Sequence, residues 1–124
     1  MSHARAAAVA VAAVRMAYGF ALALAPASTG SKWIGGDAAR PPTGVALRAL
    51  GAREIALHAG AVAAALRDEP VRPWFLASMA GDFTDMIATA GAAGHVPDDA
   101  PAKTCAVAGG SAVLSAVLLT ALDR

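Results

Sequence analysis

Six ionisable side chains, Arg15, Arg53, Glu54, His58, Asp82 and Asp85, stand inside long apolar stretches, where an unpaired charge is expensive. Ser78, Asp82, Asp85 and Thr89 recur at i, i+4, i+7 and i+11, the spacing of one polar stripe along a helix. Gly51, Glu54 and His58 share another helical face, and Arg53 points about 100° away from Glu54. Arg15 and Tyr18 lie at i and i+3, so the phenol could hydrogen-bond a carboxylate that the guanidinium also holds. Three kinds of chemistry fit these types. Asp82, Asp85 and Glu54 could act as a paired general acid and base on a lipophilic small molecule. With His58 they could pass protons or ions. The arginines, which stay charged and grip carboxylates with a planar fork, could instead lock them into a structural clasp.

The charges nearly cancel. Arg15 and Arg53 against Glu54, Asp82 and Asp85 leave one negative charge in excess, and Arg48, about a turn nearer the edge of its stretch, would balance it. If Arg48 turns outward to the headgroups, one carboxyl has to hold a proton or share one with His58, and Asp82 and Asp85 are the candidates.

Other signals carry less. The remaining histidines, His3 and His95, fall outside the apolar stretches, so His58 has no second imidazole with which to bind a metal, and no metal site is expected. Ser111 and Ser115 have no histidine nearby and no nucleophile-elbow context, which makes them packing residues. Gly35-Gly36 reads as a turn and Gly109-Gly110 as helix packing; neither matches a phosphate-binding pattern. No cofactor is implied. Cys105 stands alone, which excludes an internal disulfide, and its apolar neighbours suggest a buried, inert thiol.

The elements that must position these groups are four apolar stretches of about 20 residues, each long enough to cross a hydrocarbon core at ~1.5 Å per residue. They run at about 6–25, 44–66, 74–93 and 102–122. Pro26 ends the first, Ser28-Thr29-Gly30-Ser31 reads as a loop, and Trp33 suits an interfacial anchor. Thr43, after Arg40-Pro41-Pro42, is the expected N-cap of the second. Residues 67–72 form a short polar turn, and Pro73 with Trp74 opens the third span as the antiparallel neighbour of the second. Gly91 and Gly94 suit its C-terminus, and Pro97-Asp98-Asp99-Ala100-Pro101 the last loop. On the fourth span Thr104, Ala108, Ser111 and Ser115 make a small, hydroxylated face suited to close contact.

Hydropathy does not carry every span alone. In the second, each of Val45, Leu47, Leu50, Ile55, Leu57, Val62 and Leu66 contributes roughly −0.3 to −0.6 kcal/mol to insertion, against roughly +2.5 to +3.5 each for Arg53 and Glu54. Spans two and three must therefore be stabilised as a pair, or the chain is a soluble helical bundle. A cleaved secretory signal, suggested by Arg5, the run from Ala6 to Val14 and Ala25-Pro26-Ala27, is disfavoured because Arg15 interrupts the apolar region.

Composition supports lipid as the solvent. Hydrophobic residues make up 57% and charged ones 15%, with mean hydropathy +0.55, against about 45–50% and about 25% in soluble domains. A net charge of +1 gives no field for nucleic acid. With the N-terminus inside, Arg5, Arg67, Arg72 and Arg124 fall on the cytoplasmic side against Lys32, Arg40 and Lys103 outside, which favours cytoplasmic termini.

The segments Arg15-Met16-Ala17-Tyr18-Gly19 before Pro26, Trp33-Ile34-Gly35, Leu50-Gly51-Ala52-Arg53-Glu54, and Trp74 followed by Asp82-Phe83-Thr84-Asp85 are similar to a family of small four-helix integral membrane proteins of unknown function common in high-GC bacteria. The resemblance extends to about Ala93, and the fourth span matches only in hydrophobicity. It implies a topology and no activity. The family usually has a small residue where this chain has His58.

The expectation is a single all-α domain over residues 1–124, a four-transmembrane-helix bundle in the cell inner membrane. Its intramembrane Arg/Asp/Glu cluster is expected to serve a non-enzymatic structural or proton- and ion-handling role, with a membrane-embedded enzyme as the alternative. The bilayer is the expected partner, together with a homo-oligomeric copy and a lipophilic small molecule.

Overall fold

A computed structural model describes residues 1–122. Every regular element among them is helical: α1 (His3–Leu24), α2 (Pro26–Ile34), α3 (Pro41–Leu66), α4 (Arg72–Gly91) and α5 (Ala100–Leu122), with a 3₁₀ turn at Gly35–Ala39 between α2 and α3. Three of the helices, α1, α3 and α5, are long and apolar enough to cross a membrane. The 20-residue α4 falls short on composition, since Asp82 and Asp85 join Pro73, Ser78, Thr84 and Thr89 in diluting its apolar content.

Polar groups share the interior with apolar cores, and large apolar side chains face outward. Glu54, His58, Ser78, Asp82, Thr89 and Ser115 are buried, whereas Val14, Val45, Ile87 and Val107 are each more than 70% exposed. Helices that turn polar groups inward and apolar groups outward are compatible with a lipid environment. Cys105 follows the same rule. It is exposed, contrary to the buried thiol expected, because its apolar neighbours belong to the outward face of α5.

Two glycines set the closest approach. A Cβ on Gly51 would lie 2.5 Å from the Gly19 carbonyl oxygen, and one on Gly19 would lie 2.8 Å from that of Gly51, so α1 and α3 meet backbone to backbone. The α3–α4 contact is made differently, by large side chains laid over small ones. The Trp74 ring occupies the space a side chain at Gly60 would need, and the Arg53 guanidinium crosses over Gly81. Below the centre, Ala8, Ala12, Ala61, Ala64, Ala65, Val71, Phe75, Leu118 and Leu119 form an apolar core. Above it, Leu22, Ala38 and Leu47 form a second, flanked by Trp33, Ile34 and Leu50.

Three local expectations are corrected. Residues 28–31 lie in α2 rather than in a loop. Pro26 opens that helix where its missing N–H costs nothing, and the Ser28, Thr29 and Ser31 hydroxyls donate to the carbonyls of Ala25, Ala21 and Ser28, the first two of which also accept backbone N–H bonds across the α1–α2 junction. Thr43 is not a cap. Pro41 and Pro42 fill the first turn of α3, Arg40 is the residue preceding it, and Thr43 lies inside the helix. Trp33, expected in the loop, lies in α2, and its indole N–H donates to Thr89 Oγ1 at 2.9 Å and so links α2 to α4. The remaining breaks fall near their expected places: Gly91 ends α4, Gly94 has φ +87°, and Asp68 turns the 67–71 segment with φ +59°.

Candidate functional site

Arg15 lies midway along α1, Glu54 midway along α3, Asp82 midway along α4 and Ser111 midway along α5. The four meet. Arg15 Nε and Nη2 donate to Glu54 Oε2 at 3.1 and 2.9 Å. Its Nη1 donates to Asp82 Oδ2 at 3.0 Å and also to Ser111 Oγ, while Nη2 lies 2.8 Å from Asp82 Oδ1. A guanidinium has five N–H donors in a fixed plane, and here it makes four hydrogen bonds and one further ion-pair contact with partners from three other helices. Lysine could not do this. Its ammonium has three donors and no planar fork.

Three of the four residues of the polar stripe expected on α4, Ser78, Asp82 and Thr89, are buried and bonded. Ser78 reaches His58, Asp82 reaches Arg15, and Thr89 both receives the Trp33 N–H and donates to the Asp85 carbonyl at 2.6 Å. His58 is held at both ring nitrogens. Nδ1 lies 2.7 Å from the Glu54 carbonyl oxygen, which can only accept, so Nδ1 carries a hydrogen. In the neutral ring Nε2 then accepts from Ser78 Oγ at 3.0 Å. Nδ1 is also 3.6 Å from Glu54 Oε2, so His58 supports the carboxylate without competing for Arg15. Among the described residues no buried side-chain nitrogen or oxygen lacks a hydrogen-bond partner.

Around this closed centre the other expected residues are less engaged. Arg53 Nη2 is 3.6 Å from Glu54 Oε1, and its side chain is 41% exposed. Asp85 is half-buried, near Arg53, Glu54, Asp82, Arg15 and Tyr18, yet its carboxylate makes no hydrogen bond or ion pair with the described residues. The Tyr18 phenol likewise forms none, so the shared carboxylate contact expected of it is not made. Arg48 stays outside the cluster and donates to the Ala23 carbonyl at 2.5 Å, which ties α3 to the end of α1. The cluster therefore keeps an excess of one carboxyl, and Asp85 is the one without a partner among the described residues.

Spans two and three were expected to pair with each other. The link between their carboxylates comes instead from Arg15 on α1, which takes Glu54 of α3 and Asp82 of α4 in one plane. Two participants were not expected in these roles. Ser111 was read as packing and accepts from Arg15; Ser78 was placed on the stripe without its His58 contact. Both lay on faces legible in the sequence, but nothing in the sequence identified the cation or ring they would meet.

Two cavities open at the ends of the helices, away from the Arg15 centre. One is lined by Ile34, Gly35, Gly36, Asp37, His95, Val96 and Pro97, the other by Arg5, Pro70, Val71, Arg72, Leu119 and Leu122. Among the described residues no three His, Cys, Asp or Glu side chains are arranged to hold a metal ion. Comparison of the chain with protein-family models, with characterised proteins and with solved structures gives no match, so the reading of the site rests on its own geometry.

Proposed function

We propose that this chain is a polytopic membrane protein in which α1, α3, α4 and α5 each cross the bilayer, and that the Arg15 cluster is a non-enzymatic clasp fixing how they pack. One observation carries the reading: Arg15 makes four hydrogen bonds and a further ion-pair contact, all to residues at the midpoints of three other helices. Ten residues separate Arg5 from Arg15 and Arg72 from Asp82, a rise of about 15 Å, half of a hydrocarbon core about 30 Å thick. The clasp then sits at the bilayer midplane. There Arg15 offsets the charge of Glu54 and Asp82, which lets α4 cross despite its composition. With Arg124 counted, Arg5, Arg67 and Arg72 make one end richer in cations than the end with Lys32, Arg40 and Lys103 by four to three, which supports a cytoplasmic position for that end in a bacterial inner membrane. Arg124, counted with them in the sequence, lies outside the described residues.

A second reading attaches to Asp85 alone. A half-buried carboxyl at this depth with no ion-pair partner among the described residues is where a proton or small cation would be held, so the flank of the clasp is the place for proton or ion handling. An enzyme using Glu54 and Asp82 as acid and base is disfavoured, because both are committed to Arg15.

Topology reporters test the proposal. One inserted at Asp68 and one in the 92–99 segment should report opposite sides of the membrane, and the chain should stay in the membrane pellet after alkaline extraction. Reporters on the same side would mean that α4 does not cross.

A further inference from the structure

The 67–71 turn joins α3 and α4 as a hairpin, and this sets two opposite charges at one level. Arg53 stands thirteen residues before the end of α3 at Leu66, and Asp85 thirteen residues after the start of α4 at Arg72. At ~1.5 Å per residue both lie about 20 Å from the turn. Neither charge is fully met within the chain. Arg53 is 41% exposed, with its Nη2 3.6 Å from Glu54 Oε1 and no hydrogen bond among the described residues. Asp85 is half-buried and has neither a hydrogen bond nor an ion pair there. Charges at that depth in hydrocarbon are costly until partners meet them. We infer that the outer α3–α4 face is an interface with a second copy of this chain, in which each Arg53 pairs with Asp85 of the partner subunit; the inference rests on the bilayer reading above.

The surface around the two charges admits a close neighbour. Ala49, Arg53 and Ala56 recur at i, i+4 and i+7 on α3, and Ala77, Gly81, Thr84 and Ala88 at i, i+4, i+7 and i+11 on α4. The two stripes border one seam, since a Cβ at Gly81 would lie 3.2 Å from Arg53 Nη2. All of these residues except Gly81 are exposed, and apart from Arg53 none is larger than threonine, so another helix can approach near enough for the charges to meet. The Thr84 hydroxyl donates to the Ala80 carbonyl at 2.8 Å and needs no outside acceptor.

Charge and depth together make a second copy the occupant. Copies inserted with the same orientation pair about a two-fold axis along the membrane normal, which leaves every group at its own depth and uses the same patch on both. Reciprocal pairing then requires opposite charges at one level on one face, and Arg53 and Asp85 meet that requirement. An unrelated helix would have to bring both a base and an acid to that level; the same chain already carries them. The Arg15 clasp is complete within one chain, so association adds an assembly to a fold that stands without it.

The test uses the full chain in phosphatidylcholine vesicles, labelled with donor or acceptor dye at Cys105, its one cysteine and an exposed one, and reads energy transfer as added lipid dilutes the protein. Wild type should show transfer above that of random proximity. Arg53→Gln and Asp85→Asn should each weaken self-association about tenfold, and Arg53→Lys, which keeps the charge, by less. Donor-labelled Arg53→Gln mixed with acceptor-labelled Asp85→Asn should associate more strongly than either variant with itself, because the mixed pair keeps one Arg–Asp contact and removes both charges from the other. A mixture no stronger than its components would place the pairing within one chain and overturn the inference. An Arg53→Lys loss equal to that of Arg53→Gln would also overturn it. Wild-type transfer no greater than random proximity would do the same and leave Asp85 to a proton or another partner. A chain released from the vesicles by alkaline extraction would instead overturn the bilayer reading on which the inference rests.

Discussion

Asp82 and Asp85 stand three residues apart on one face of α4, yet they live in different regions of the molecule. Asp82 is 2% exposed and receives the Arg15 fork. Asp85 is half-buried, with Arg53 and Tyr18 nearby and neither within bonding distance. The first region is closed: every donor has an acceptor, and any change leaves a buried group unpaired. The second is open, so its carboxyl can change state without dismantling anything. Sequence alone ranks the two aspartates together, since both are acids at the same depth. Only the position of Arg15, reaching across from α1, separates a residue that holds the helices together from one that is free to do something else.

Substitutions should reproduce that division. The largest effect is expected from Arg15→Gln, which leaves Glu54 and Asp82 buried without their cation and should cost about 3–5 kcal/mol, read as loss of folded protein in detergent. A mild Arg15→Gln phenotype would dissolve the contrast between the regions. Ser111→Ala removes one acceptor from a guanidinium that keeps two carboxylates, and about 1–3 kcal/mol is expected by thermal or denaturant unfolding. Asp85→Asn breaks no bond and should leave stability within about 0.5 kcal/mol, while abolishing any proton or cation uptake measured in reconstituted vesicles. The smallest effect lies outside both regions. The Lys103 ammonium, 2.6 Å from Asp99, holds that exposed carboxyl below its ordinary value. A depressed carboxyl stabilises above its ordinary value and loses that contribution as pH falls through its folded value. Amide protection in the first turn of α5 should therefore weaken below pH roughly 4 in wild type and show no such step in Asp99→Asn.

Much of the fold was legible in the sequence because apolar length and helix breakers carry it. Gly91, Pro73 and the 67–72 turn lie where helices end or begin. The α2 segment was not legible, since Ser28, Thr29 and Ser31 look like loop formers until the carbonyls of α1 and α2 are there to receive them. Cys105 was misplaced by a rule that belongs to water-soluble cores. In the site, Glu54, His58 and Asp82 were recognisable from burial cost, and the inward face of α4 from its spacing. What spacing could not supply was the pairing. A helical period fixes which face a residue occupies, not which neighbouring helix that face meets, so Ser111, Arg48 and Tyr18 were assigned without knowing their neighbours.

The central claim is that Asp82 is held by Arg15 and Asp85 is not. A double-mutant cycle in detergent measures this directly, comparing the coupling of Arg15→Gln with Asp82→Asn and with Asp85→Asn. The account predicts a coupling of about 1–3 kcal/mol for the Asp82 pair and one within error of zero for the Asp85 pair. Equal couplings, or a larger one to Asp85, would contradict it.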